Sequence, residues 1–169
     1  MIQGTISLTP LTGRDGRAYV FSRMLEEDRA RIVQYMLPEP SLEIFLEGTA
    51  PEKAWFCVLH TDESLAAAVW ITDFVGKSAL VHFVVFRRFA HRAREICHLA
   101  CRWAFESGKL ACLMGLIPKV NRAALASMRA SGWLEVFRIP QACHVHRLGR
   151  HVDGVLCCFT PQLLREATQ

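Results

Sequence analysis

Hydrophobic positions in this chain change period from one stretch to the next, and those changes mark its elements. Thr5 to Thr9 alternates as a short first strand. Asp15 to Met36 is mixed and turns helical near Met24 to Tyr35, where Met24, Leu25, Ile32, Tyr35 and Met36 share one face. Glu26, Glu27 and Asp28 precede Arg29 and Arg31, a charge order that suits a helix dipole. The LPEPS stretch at 37–41 ends that helix or breaks it in two, and Leu42, Ile44, Phe45 and Leu46 form a second short helix. Ala54 to His60 and Leu65 to Phe74 read as strands joined by the turn HTDES, with Trp70 and Phe74 as large cross-strand packing residues. After a second turn at Asp73 to Ser78, the apolar run Leu80 to Phe86 reads as a buried strand.

An arginine-rich turn follows, and then a helix with Ala93, Ile96, Cys97, Ala100, Trp103 and Ala104 at helical spacing, stopped at Gly108. Leu110 to Ile117 is the next strand. Because a helix separates it from its predecessor, the two are expected to pair in parallel through a right-handed crossover. Pro118 turns the chain, and Asn121 caps a short helix through Ser131, closed by Gly132. Trp133 to Ile139 and Leu156 to Phe159 are the last strands, while His144 to Arg150 extends one of them or forms a loop. The expected order is β-α-α-β-β-β-α-β-α-β-β: an α/β chain whose mixed, mostly antiparallel central sheet is flanked by helices.

Composition narrows the class. The 169 residues, 51% hydrophobic and 21% charged, suit one domain spanning 1–169 with a substantial core. No window of 18 uncharged apolar residues predicts a membrane span. The opening MIQGTISLTP lacks a secretory pattern, which makes the cytoplasm the expected compartment. Seven cysteines fall mostly in apolar patterns and read as reduced, structural thiols; Cys157 and Cys158 are expected on opposite faces of a strand.

Sixteen of the 20 basic residues are arginines, which favours planar, bidentate contacts with anions. The net charge of +4 is too small to argue for nucleic acid. Arg87, Arg88, Arg92, Arg94 and Arg102 do cluster, but core periodicity claims Phe86 and Trp103 and leaves Phe89 as the one stacking candidate. A strand leading through a basic turn into a helix start is instead suited to a phosphate. His144, His146 and His151 lack a complete zinc signature and read as a surface cluster. Cys97 and Cys101 read as core thiols, and no nucleophile elbow, P-loop or dinucleotide fingerprint is present.

The spaced segments resemble the GCN5-related N-acetyltransferase (GNAT) superfamily, most clearly from about Leu65 to Phe159. The family's pyrophosphate loop, Arg/Gln-x-x-Gly-x-Gly/Ala, is similar to Arg88-Phe89-Ala90-His91-Arg92-Ala93, with His91 in place of glycine. Asn121 through Gly132-Trp133 is similar to the family's fourth helix and sixth strand, with Met128 where a proton-donating tyrosine is usual. The resemblance implies acetyl-CoA-dependent transfer to an unidentified amine, small molecule or protein. Backbone of Phe83, Val84, Val85 and Phe86 would polarise the acetyl oxygen. Arg87, Arg88, His91, Arg92 and Ala93 would shape the pyrophosphate site, and Asn121 would lie near the pantetheine. His82 is the candidate base if strand phase does not bury it; Tyr35 and His60 lack a matching motif. The chain also looks like small divergent, phage-encoded members, so the alternative is a non-catalytic binding or assembly protein. A homodimer is compatible with either reading.

Overall fold

Alternating apolar residues from Trp55 to Val85 fold into an antiparallel meander in the computed structural model, which describes residues 4–169. Its strands are β2 (Trp55–His60), β3 (Leu65–Val75) and β4 (Ser78–Val85), with β1 (Ser7–Pro10) added to the outer edge of β2. The sheet continues through β5 (Cys112–Pro118), β6 (Leu134–Val145) and β7 (Arg150–Phe159) in the order β1-β2-β3-β4-β5-β7-β6. Every neighbouring pair is antiparallel except β4 and β5, whose parallel pairing follows from the helical crossover between them.

Helices cover both faces. On one lies α4 (Ala93–Glu106), where Ile96, Ala100, Cys101 and Ala104 are buried against Val69, Ile71, Val81 and Leu113. Beside it are α5 (Arg122–Ala130) and α6 (Pro161–Ala167), which contribute Leu125 and Leu164 to the same core. On the opposite face, α1 (Arg14–Glu26) and α3 (Leu42–Gly48) bury Val20, Phe21, Met24, Phe45 and Leu46 over Phe56, Trp70 and Val84. The buried Arg17 side chain ties these two helices together, donating to Leu46 O at 3.0 Å and Thr49 Oγ1 at 3.2 Å. Neutral acceptors leave its charge hydrogen-bonded without an acid.

The N-terminal helix lies earlier than its periodicity suggests. α1 ends at Glu26, and only the four-residue α2 (Ala30–Val33) follows. Asp28 takes φ 57°, Asp28 N–H donates to Leu25 O, and Arg29 N–H donates to Met24 O. Those paired bonds are a Schellman end, so the acidic run closes a helix instead of opening one. Met24 is buried while Leu25, Ile32 and Met36 are exposed, and the expected apolar stripe is divided.

Two further differences concern the C-terminal third. β6 and β7 form a long hairpin, with β6 continuing past Pro140 because it is the edge strand and is bulged there. The chain also carries a terminal helix that the expected order lacks: Thr160 Oγ1 accepts from Leu163 N–H, and Pro161 opens α6.

α6 presses on the turn after α5. Gly132 has φ 84°, and a Cβ there would meet Ala167 Cβ at 2.9 Å. Gly132→Ala is therefore expected to lower unfolding free energy by about 1–3 kcal/mol through backbone strain and steric displacement of α6. Urea titration measures the loss, and adding Ala167→Gly should recover its steric part.

Candidate functional site

The central feature is a gap in the sheet. β4 and β5 pair only through Ser78↔Cys112, Ala79↔Leu113 and Leu80↔Met114. Beyond Leu80 the strands part, although β4 stays paired with β3 through Val85↔Ala67 and β5 with β7 through Pro118↔Gly154. The β5-facing edge of β4, across His82, Phe83, Val84 and Val85, therefore has no strand partner. Main-chain groups on such an edge seek another hydrogen-bonding partner, from water or ligand. Val84 and Phe86 turn their side chains into the core beneath α1 and α3, while Phe83 and Val85 pack toward α4.

The chain leaves β4 through a 3-10 turn, Arg87–Arg92, that runs directly into α4. Phe89 anchors the turn in the core, so the one aromatic left over as a nucleic-acid stacker is buried. The arginines of the turn all have polar partners. Arg87 N–H donates to Glu27 Oε2 at 2.7 Å, and its guanidinium to Glu27 O at 3.1 Å. Arg88 reaches Ser64 Oγ at 3.0 Å, with Glu63 4.0 Å away. Arg92 grips Glu95 through two bonds of 2.8 and 2.7 Å and also donates to Gly4 O. His91 is exposed, and Ala93 begins α4.

Asn121 caps α5, its Oδ1 accepting from Ala124 N–H at 3.2 Å. Met128 lies on the same helix, with its methyl 3.5 Å from where a Cβ on Gly115 would stand. It provides packing and no proton.

His82 occupies the open stretch of β4, half-buried and opposite Trp70. The two rings stack at 5.3 Å and 9°. Nε2 lies 3.0 Å from Thr72 Oγ1, which in turn donates to Asp73 Oδ2 at 2.6 Å. Burial pushes the imidazole below its ordinary value of 6.5, and the Asp73 charge offsets part of that shift. Thr72 and Asp73 escape a linear reading because they look like the end of a strand and the start of a turn. Cross-strand register alone brings them to His82. Glu27 is missed for the same reason: Arg87 is 60 residues away in sequence.

Other candidates separate in space. Tyr35 donates to Cys143 Sγ at 3.6 Å beneath the β6–β7 hairpin, and burial raises its hydroxyl. His60 contacts Thr9 Oγ1 at 3.0 Å on the β1–β2 edge. An open groove of about 340 Å³ lies there against α1, lined by Tyr19, His60, Glu63 and Ser64. The His144 ring is 4.9 Å from His151 and 6.3 Å from His146, but among the described residues no three such ligands are placed to hold a metal. Cys97 accepts from Trp133 Nε1 at 3.2 Å in the core, beside buried Cys101. Cys157 is buried and Cys158 partly exposed, as strand alternation requires.

The parted β4 and β5, with helices following each, define the GCN5-related N-acetyltransferase fold. Two solved structures share it over nearly their whole lengths. The spermidine N-acetyltransferase of Vibrio cholerae, crystallised with CoA and spermine, superposes with a TM-score of 0.74 at 15% identity, covering 95% of this chain and 98% of that one. A GNAT-family acetyltransferase from Streptococcus pneumoniae gives 0.66 at 16% identity, covering 92% and 99%. No family model and no curated protein sequence matches the chain. Among the described residues, no helix is long and apolar enough to cross a membrane.

The lowered His82 pKa has a stability consequence. The unfolded imidazole binds a proton near 6.5 while the folded one resists it, so stability falls as pH drops through 6.5 until the folded group also titrates. His82→Gln should remove that component. Urea midpoints at pH 7 and pH 5, compared between the two proteins, measure it; an equal decline in both would contradict the shift.

Proposed function

We propose that this chain is an acetyl-CoA-dependent N-acetyltransferase that acts by direct transfer to an amine. The observation carrying the reading is the separation of β4 from β5 after Leu80↔Met114 while each strand keeps its outer partner. An unpaired strand edge is suited to the amide-bearing pantetheine arm, which can satisfy main-chain donors and acceptors as a strand does. When bound, acetyl-CoA supplies an activated acetyl thioester.

This chain's residues then have distinct tasks. Backbone of Phe83 through Phe86 orients and polarises the acyl carbonyl. Arg88, His91, Arg92 and the Ala93 end of α4 supply positive charge and N–H groups for the diphosphate. Glu63 lies 4.0 Å from the Arg88 guanidinium in an exposed pair weak enough to exchange for phosphate, while the two-bond pair with Glu95 sets the Arg92 guanidinium at the start of α4. Asn121 stands at the start of α5, its N–H bonded to Pro118 O at the end of β5, and approaches the pantetheine. His82 receives the amine proton, a task suited to a neutral imidazole on the open stretch of β4. An amine acceptor accords with the Vibrio cholerae protein's crystallisation with spermine, and free thiols suit a reducing cytoplasm.

Calorimetric titration with CoA and acetyl-CoA tests the reading. Saturable binding is expected, weakened about tenfold or more by combined Arg88→Ala and Arg92→Ala, since each removes a charge-assisted phosphate contact. No heat from folded protein at millimolar CoA would end the enzymatic reading and favour a binding or assembly role. Where CoA binds, product mass spectrometry over mono- and polyamines identifies the acceptor.

A further inference from the structure

The hydrogen bonds around His82 determine more than its position. Thr72 has one hydroxyl proton, and the 2.6 Å contact with Asp73 Oδ2 commits it, because a carboxylate offers only acceptors. The threonine oxygen therefore accepts in its 3.0 Å contact with His82 Nε2. That makes Nε2 the protonated ring nitrogen and leaves the lone pair on Nδ1, which has no protein hydrogen bond among the described residues. Stacking on Trp70 holds the ring plane while Thr72 holds its edge.

The backbone contributes as well. Adjacent residues on a regular strand point to opposite faces, which would separate the Thr72 and Asp73 side chains. Asp73 instead adopts φ 51° within the irregular pairing between Thr72 and Val75. A left-handed non-glycine residue costs about 1 kcal/mol or more. Here it accompanies a carboxylate brought back onto its neighbour's hydroxyl.

We infer that Asp73 and Thr72 are positioning residues that hold His82 as the Nε2–H tautomer and present Nδ1 as the base for the acceptor amine. The inference rests on the acetyltransfer reading for its catalytic meaning, but not for the tautomer. In the transfer step the amine lone pair forms the C–N bond, and the C–S bond breaks with its electron pair on sulfur. The amine proton passes to Nδ1; the departing thiolate draws a proton from solvent, and the imidazolium returns one to solvent after the transfer. The imidazolium so formed keeps Nε2–H on Thr72, with the Asp73 charge one hydroxyl away. The Asp73 charge also favours the protonated imidazole, against the effect of burial.

Nitrogen-15 NMR of the histidine rings reads the tautomer directly, with His82→Gln assigning the signal. The expected spectrum at neutral pH has a protonated Nε2 and an unprotonated Nδ1. Thr72→Val should give mixed tautomers, Thr72→Ser should restore one, and Asp73→Gly should lower the His82 titration midpoint. Asp73→Gly suits the left-handed backbone and so keeps the fold while deleting the carboxylate. With an acceptor in hand, Thr72→Val and Asp73→Gly should each lower kcat about tenfold to hundredfold, with KM changed less than about twofold. The acid limb of kcat should move to lower pH in Asp73→Gly. An unprotonated Nε2 in the parent protein, or an unchanged tautomer in Thr72→Val, overturns the inference. Failure of CoA to bind alongside the expected tautomer removes the acetyltransferase reading and, with it, the assignment of Nδ1 as amine base.

Discussion

The separation of β4 from β5 is the constraint on which the rest of the molecule depends. Two parallel strands joined by α4 would ordinarily pair along their length, but these do so over only three residue pairs. Outer partners keep both strands extended after they part, so the gap does not collapse. The hydrophobic core makes that arrangement sustainable. α4 covers one face of the sheet, while α1 and α3 cover the β2–β4 part of the other. Backbone pairing lost at the centre is thus offset by burial on either side of it.

Packing also carries order from the core to the candidate base. Phe45 meets Trp70 edge-on at 5.5 Å, Phe56 stacks on Trp70 at 5.7 Å, and Trp70 stacks on His82 at 5.3 Å. These rings have few rotamers and lie against buried strands, so the imidazole inherits their rigidity. Polar contacts through Thr72 then fix what stacking cannot, namely which ring nitrogen carries the proton. Stability and chemistry here share one row of side chains.

The basic turn has a different character from its composition. Isolated in sequence, Arg87, Arg88 and Arg92 are a block of positive charge. Folded, the Arg87 guanidinium donates to the Glu27 carbonyl, while Arg88 and Arg92 face the carboxylates of Glu63 and Glu95. Glu27 reaches Arg87 because the Schellman end of α1 delivers it there. Only Arg88 and Arg92 place their charge against a carboxylate, and His91 adds bulk at an exposed position where glycine would leave backbone more accessible.

By itself, the sequence determined the sheet-and-helix order from β2 through α5, because residues such as Leu80–Phe86 and Ile96–Ala104 have periods set by local geometry. It also determined Asn121 as a helix cap and placed Gly108 and Gly132 at helix ends, since those roles depend on neighbouring backbone alone. The true extent of α1 was less legible: its acidic run suits either end of a helix, and only the closing bonds around Asp28 decide between them. α6 carries a Thr-Pro start but little apolar periodicity, and its stability comes from docking on distant residues. Tertiary structure alone decided where β4 and β5 part, that Glu27 meets Arg87 and Ser64 meets Arg88, and that Trp70, Thr72 and Asp73 surround His82. Those are relations across strands and between helices, fixed by register and packing, and no local period in a single stretch encodes them.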